Sequence, residues 1–248
     1  DGMVVHTRSE RVRRAARQIL EMHLINHPVD CPICDQAGEC GLQDQYMIHG
    51  LYTSEVTKSD KVLKLKAQPI GPHVILDKER CVLCSRCVRF CREITKTGEL
   101  GIFQRGDRAE IGVAPGRQLD NNYSLNTVDI CPVGALTSRD FRFQKRVWLL
   151  RSVPSICPGC ATGCSIRVDH EGGQVWRLRP RRNDAVNGSW MCDLGRMEYK
   201  RLHAGDRLSR PLVRRDGALR EVEWREAWPE IEQRLAAGTG KLALANPH

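Results

Sequence analysis

Residues 81–91 read CVLCSRCVRFC, and the chain returns to a lone cysteine in DICPVGAL, residues 129–136. Closely spaced thiolates wrap three corners of an iron–sulfur cube while a remote cysteine, followed by proline, closes the fourth; this is ferredoxin-type spacing. Zinc sites come more often as two separated Cys-x2-Cys pairs. The pattern points to a [4Fe–4S] cluster on Cys81, Cys84, Cys87 and Cys131, and to a fold organised by metal. Cys91 is left over. In two-cluster ferredoxins the fourth cysteine of such a run precedes proline and serves the other cluster, but Arg92 follows Cys91 here. Cys91 therefore reads as a small buried hydrophobe.

Two further groups flank this one. NHPVDCPICDQAGECGLQDQ, residues 26–45, brings His27, Cys31, Cys34 and Cys40 close together, and CPGCATGC, residues 157–164, offers Cys157, Cys160 and Cys164, with Cys192 downstream. Both groups read as [4Fe–4S] sites by spacing, with zinc as the alternative. The three sets together leave Cys91 as the unassigned thiol among twelve cysteines.

The length of 248 residues suffices for one or two ordinary cores. With 5% aromatic and 28% charged residues, the apolar core should be modest. Cysteines in tight local groups rather than dispersed pairs indicate metal binding in a reducing compartment. No apolar run approaches the ~18 residues of a membrane span, so no direct span is expected, though docking onto a membrane partner is. A formal charge of +9 suits nucleic acid, anionic clusters or acidic partner subunits alike. A zinc-stabilised nucleic-acid-binding module is the alternative from another class. It lacks interleaved aromatics and repeated finger spacing, and nucleic acid is not an expected partner.

The chain divides into four segments: 1–77, 78–150, 151–206 and 207–248. The first opens with an amphipathic helix, Thr7 and Glu10 in capping-box spacing, which stops near Asn26 because Pro28 forces His27 out of helical geometry. In the second, GIFQRGDRAEIGV predicts a hairpin. In the third, SIRVDHEGGQVWRL predicts a strand pair turning at Gly172 and Gly173. The fourth carries a helix over WREAWPEIEQRLAA and a strand-like LALAN. The fold class expected is α+β, small cluster-binding domains followed by the start of an α/β domain. No P-loop, dinucleotide fingerprint or nucleophile–base pair occurs, so no catalytic residue is assigned.

In this order, HPVDCPICDQAGECGLQDQ, CVLCSRCVRF, CPVGALTSRDFRF and CPGCATGCSIRV resemble the large iron–sulfur subunit family of bacterial respiratory complex I, NADH:quinone oxidoreductase. The resemblance covers nearly the whole chain. It implies a histidine-ligated [4Fe–4S] domain (His27, Cys31, Cys34, Cys40), a ferredoxin-like [4Fe–4S] domain (Cys81, Cys84, Cys87, Cys131) and a [4Fe–4S] domain of the Mo/W-bis-MGD type (Cys157, Cys160, Cys164, Cys192). The implied role is electron transfer, within an oxidoreductase complex, from an NADH/flavin-binding subunit toward a quinone-side iron–sulfur subunit. NADH and quinone would be bound by those partners. The implied location is the peripheral arm at the cytoplasmic face of the bacterial inner membrane.

Family members begin with a [2Fe–2S] domain, and DGMVVHT resembles the stretch just after the last ligand of that domain. KLALANPH resembles the first strand of a large molybdopterin-oxidoreductase-like domain. The expectation is a part of a longer protein, with a [2Fe–2S] cluster on a preceding domain. Formate dehydrogenases place lysine two residues after the last ligand of the third set, facing the pterin. CDLGR has Leu194 there, so no pterin is expected. The electron-wire part of an NAD-linked formate dehydrogenase or hydrogenase is the alternative reading.

Overall fold

The computed structural model describes residues 2–205 and 208–238. They form two compact units, Asp1–Met197 and Glu198–His248.

The first unit opens with helix α1, Glu10–Leu24. Its cap is Ser9, not the expected Thr7: Ser9 has extended backbone and its Oγ accepts a hydrogen bond from the Val12 N–H at 3.3 Å. The helix ends before the His27-Pro28 pair, as proline sterics require. Leu20 is its buried side chain, while Val12 and Ile19 are exposed. A short second helix, α2, spans Gly41–His49.

Strands β1 (Gln68–Pro69) and β2 (Val74–Leu76) begin a small antiparallel sheet. Helix α3 (Arg86–Arg89) runs directly into a π-helical turn, Phe90–Ile94, which carries Cys91. The expected hairpin is present as β3 (Leu100–Phe103) and β4 (Glu110–Val113). Helix α4 (Asn126–Ile130) delivers the chain to Cys131, and β5 (Leu136–Ser138) then joins the far edge of β2. Val74, Leu76, Cys87, Phe90, Cys91, Leu100, Ile111, Leu125 and Leu136 share one core beneath these elements.

The rest of the unit is an antiparallel meander, β6 (Arg151–Ile156), β7 (Ser165–Glu171) and β8 (Gln174–Pro180), followed by helix α5 (Asp193–Met197). The turn between β7 and β8 has φ of 59° at Gly172 and 79° at Gly173, the left-handed pair that a two-residue hairpin of this hand demands. Strand β6 had no clear sequence signal; all its residues are exposed, so alternation is absent.

In the second unit, helix α6 (Tyr199–Leu202) precedes a hairpin of β9 (Leu212–Arg215) and β10 (Ala218–Glu221), and then helix α7 (Trp224–Ala237). Helix α7 matches the expectation from WREAWPEIEQRLAA. The strand expected at LALAN lies outside the described residues. Helices and small antiparallel sheets stay segregated, so the class is α+β. Among the described residues no helix is long and apolar enough to cross a membrane.

Candidate metal centres

His27, Cys31, Cys34 and Cys40 line one cavity of about 380 Å³, open solvent at its mouth included. The loop after α1 supplies the first three, with Cys31 opening a one-turn 3-10 helix, and Cys40 stands immediately before α2. His27 Nδ1 is buried without a hydrogen-bond partner. Burial first, and the Arg80 charge second, pull its pKa down to about 4. A neutral imidazole with a free nitrogen is the form that binds a metal. Burial also pushes the Cys31 and Cys34 thiols up.

Cys81, Cys84, Cys87 and Cys131 line a second cavity of about 350 Å³. The turn around Cys84 is wound left-handed at two non-glycine residues, Leu83 (φ 52°) and Ser85 (φ 57°). Such backbone persists where the surroundings enforce it, and binding loops are a common place. The Leu83 N–H donates to Cys81 Sγ at 3.4 Å. Burial, reinforced by the facing cysteines, raises the Cys87 thiol to about 12, and burial raises Cys131 to about 11. Deprotonated thiolates here need a compensating cation.

The third set converges as well. The Cys157 N–H donates to the Cys164 carbonyl at 2.8 Å, and each of Cys157, Cys160 and Cys192 adds to the rise that burial causes in the Cys164 pKa. A methyl group on Gly195 would stand 2.9 Å from Cys157 Sγ and 3.4 Å from Cys192 Sγ, so α5 approaches both sulfurs only because that residue lacks a side chain. The Gly195 N–H donates to Cys192 Sγ at 3.3 Å. Cys160 is exposed. Among the described residues no three His, Cys, Asp or Glu side chains gather on one ion-sized point; the first two sets ring cavities instead.

Cys91 is fully buried in the core beside Phe90 and Leu100. Burial, then the neighbouring Glu99, pushes its thiol up to about 12. Trp190 packs on Phe90, ring centroids 4.8 Å apart.

The first two cavities share a wall. The loop after α4 gives Cys131, Pro132, Val133 and Ala135 to the second cavity and Gly134 to the first. A methyl on Gly134 would lie 2.6 Å from Cys34 Sγ. Cys40 Sγ lies 3.7 Å from the Pro132 carbonyl oxygen and packs in one cluster with Val133 and Ala135. The third set is tied to the second through α4: Ser124 Oγ donates to Asp193 at 2.6 Å, Asn126 Nδ2 to the Met191 carbonyl at 2.8 Å, and Arg196 to Asp129 at 2.5 Å. Four arginines missed by sequence reasoning hold these loops. Arg80 grips Asp30, Arg146 donates to the carbonyls of Pro32 and Cys34, Arg177 pairs with Glu39, and Arg196 with Asp129. Their partners are distant in sequence, so no local pattern announces them.

Known protein families match the chain in the same order as its sites. Residues 17–55 match the NADH-ubiquinone oxidoreductase-G iron-sulfur binding region, 71–137 the ferredoxin-like domain of NADH-quinone oxidoreductase subunit 3, and 150–204 the molybdopterin oxidoreductase Fe4S4 domain. Each stretch contains one of the three ligand sets. The G subunit of NADH-quinone oxidoreductase from Streptomyces coelicolor is 41% identical over 98% of this chain and 29% of that protein. Over the stretch it spans, the chain belongs to this family of NADH-quinone oxidoreductase iron–sulfur subunits. NADH-quinone oxidoreductase subunit 3 of Thermus thermophilus is 39% identical over 97% of this chain and 32% of its own length. The chain thus spans about a third of the length of these relatives. A solved NAD+-reducing [NiFe]-hydrogenase in the H2-reduced state is 30% identical, covering 56% of this chain and 60% of that one, with a TM-score of 0.48.

Proposed function

We propose that the chain is an electron-transfer part of an NADH:quinone oxidoreductase, holding three [4Fe–4S] clusters on His27, Cys31, Cys34 and Cys40, on Cys81, Cys84, Cys87 and Cys131, and on Cys157, Cys160, Cys164 and Cys192. When bound, such clusters take up and pass on single electrons. The observation that carries this reading is the shared wall of residues 131–135. One short loop bounds both the first and the second cavity, so two redox centres would sit a few residues apart.

The chain's own residues would set position, dryness and charge. Val133, Ala135 and Leu136 exclude water from the wall, the backbone N–H groups of Leu83 and Gly195 donate to ligand sulfurs, and His27 presents a neutral nitrogen. Partners in this reading are an NADH/flavin-binding subunit and a quinone-side iron–sulfur subunit, which bind NADH and quinone themselves. The location is the peripheral arm on the cytoplasmic face of the bacterial inner membrane. A [2Fe–2S] cluster belongs to a preceding domain of the longer relatives, and no pterin is held at Leu194. The segments 1–77, 78–150 and 151–206 each carry one cluster, and 207–248 starts the molybdopterin-oxidoreductase-like region.

The test is iron, acid-labile sulfide and zinc on anaerobically purified protein, with visible spectra before and after dithionite. About twelve iron and twelve sulfide per chain, in a brown sample that bleaches, is the expected result. A colourless sample with about three zinc would overturn it.

A further inference from the structure

Asp30 stands immediately before Cys31, and Arg80 immediately before Cys81. These two residues are bonded to each other. Arg80 donates from Nη1 to Asp30 Oδ1 at 2.6 Å and from Nη2 to Oδ2 at 3.0 Å, while its Nε donates to Asp77 at 3.1 Å. The side chain is buried and lines the first cavity. A Cβ on Gly134 would meet Cys34 Sγ at 2.6 Å and Arg80 Cδ at 3.5 Å, so the Arg80 stem and the Cys34 sulfur flank the same glycine. Although Arg80 adjoins Cys81 in sequence, it lines the cavity of Cys34 and is absent from the lining of the cavity that holds Cys81, Cys87 and Cys131. The residue is contributed by the second set's loop and serves the first set's cavity.

We propose that Arg80 is a positioning residue of the first cluster site: its guanidinium, locked by Asp30 and Asp77, holds a buried positive charge beside Cys34. The proposal rests on reading the first set as cluster ligands. Asp77, buried, and Asp30, partly exposed, hold the guanidinium from two sides, so the buried cation is paired. A charge fixed in a poorly polarisable interior acts strongly on a redox site nearby, and a positive one favours the reduced, more negative cluster.

Arg80→Met removes that charge and keeps most of the stem, whereas Asp30→Asn removes a negative charge at nearly constant shape. The two changes should move the potential of the first site in opposite directions. A merely structural role would loosen the site in both and move it the same way, or not at all. The experiment is an EPR-monitored redox titration of the full chain with its clusters assembled anaerobically, with iron content and the nitrogen hyperfine coupling from His27 read on the same samples. The expected result is a nitrogen-coupled signal whose potential falls in Arg80→Met, rises in Asp30→Asn and stays near the parent value in Arg80→Lys, while the second-site signal holds its place. A nitrogen-coupled signal with the parent potential in both charge-removing variants, or with shifts of the same sign, overturns the proposal and leaves the cluster reading intact. A parent sample that holds iron but shows no nitrogen coupling overturns His27 as a ligand and the proposal with it. Should Arg80→Met lose its iron, Asp30→Asn decides alone: a rise supports the role, and no change or a fall overturns it.

Discussion

At His27 two opposing demands meet. A histidine in water is half protonated near pH 6.5, but this one is mostly buried and neutral, and lines a cavity together with three cysteines. Replacing a thiolate by imidazole removes one negative charge from a cluster, which in Rieske centres accompanies a raised potential. His27→Cys should therefore lower the potential of the first site, and a redox titration beside the parent checks it. Gly134 is the second residue whose role is set by a single atom. With Cys34 Sγ only 2.6 Å from where a Cβ would be, Gly134→Ala must displace a short, constrained side chain. The expected outcome is loss of about four iron per chain, those of one [4Fe–4S] site, with the second site's spectrum retained; iron analysis with EPR reads both. The cysteines at these sites were legible in the sequence because cluster ligands follow fixed spacings. Gly134 was not, since its constraint comes from a sulfur far away in the chain.

Among the elements, β7 and β8 show how a charged residue can order a sheet. Asp169 is fully buried beside a bulge in β7, and both Arg177 and Arg179 of β8 donate to it at 2.7 and 2.8 Å. Burial alone would raise its pKa, but the two guanidiniums more than offset this and hold the carboxyl below its usual value. A carboxyl with a folded-state pKa below its unfolded value stabilises the fold fully above the unfolded value, near pH 4. That contribution is lost as pH falls through the folded value. The melting temperature of the parent should thus drop steeply below about pH 4. Asp169→Asn should lose about 3 kcal/mol at neutral pH, as removal of one partner from a buried ion pair does, and lack that part of the acid dependence; thermal melts from pH 3 to 7 separate the two. Hairpins were the legible elements, because alternation and glycine turns are local. The sheet of β1, β2 and β5 was not. Its strands are two or three residues long, and β5 joins β2 only after the chain has passed through α3, β3, β4 and α4. The π-helical turn carrying Cys91 was equally hidden, because a change in helical pitch leaves no periodic trace in five residues.

Across the first unit, the sites differ in how deeply they are built into the fold. Cys87 belongs to the main core, and Cys81 and Cys131 pack against it with Val74, Leu76, Phe90 and Leu136. The first site leans on that core through Gly134 and Arg80, and the third through Asn126, Asp129 and Asp193. The second site is the hub and the third lies at the rim, where Cys160 is exposed and the outer strand β6 buries no side chain. Because metal binding is folding free energy when the thiolates are held by the folded chain, losing a ligand should cost in proportion to what leans on it. Cys131→Ser should lose the second cluster and lower the melting temperature by about 10 °C, the shift that roughly 4 kcal/mol gives a domain of this size. It should also speed hydrogen exchange in β2, β5 and the 26–40 loop. Cys160→Ser should lose an equal amount of iron from the third site, yet leave the melting temperature within a few degrees and exchange in β2 and β5 unchanged. Equal destabilisation by the two variants would mean that stability is spread evenly over the three sites, and that the core around Leu76 and Phe90 does not give the second one its central place.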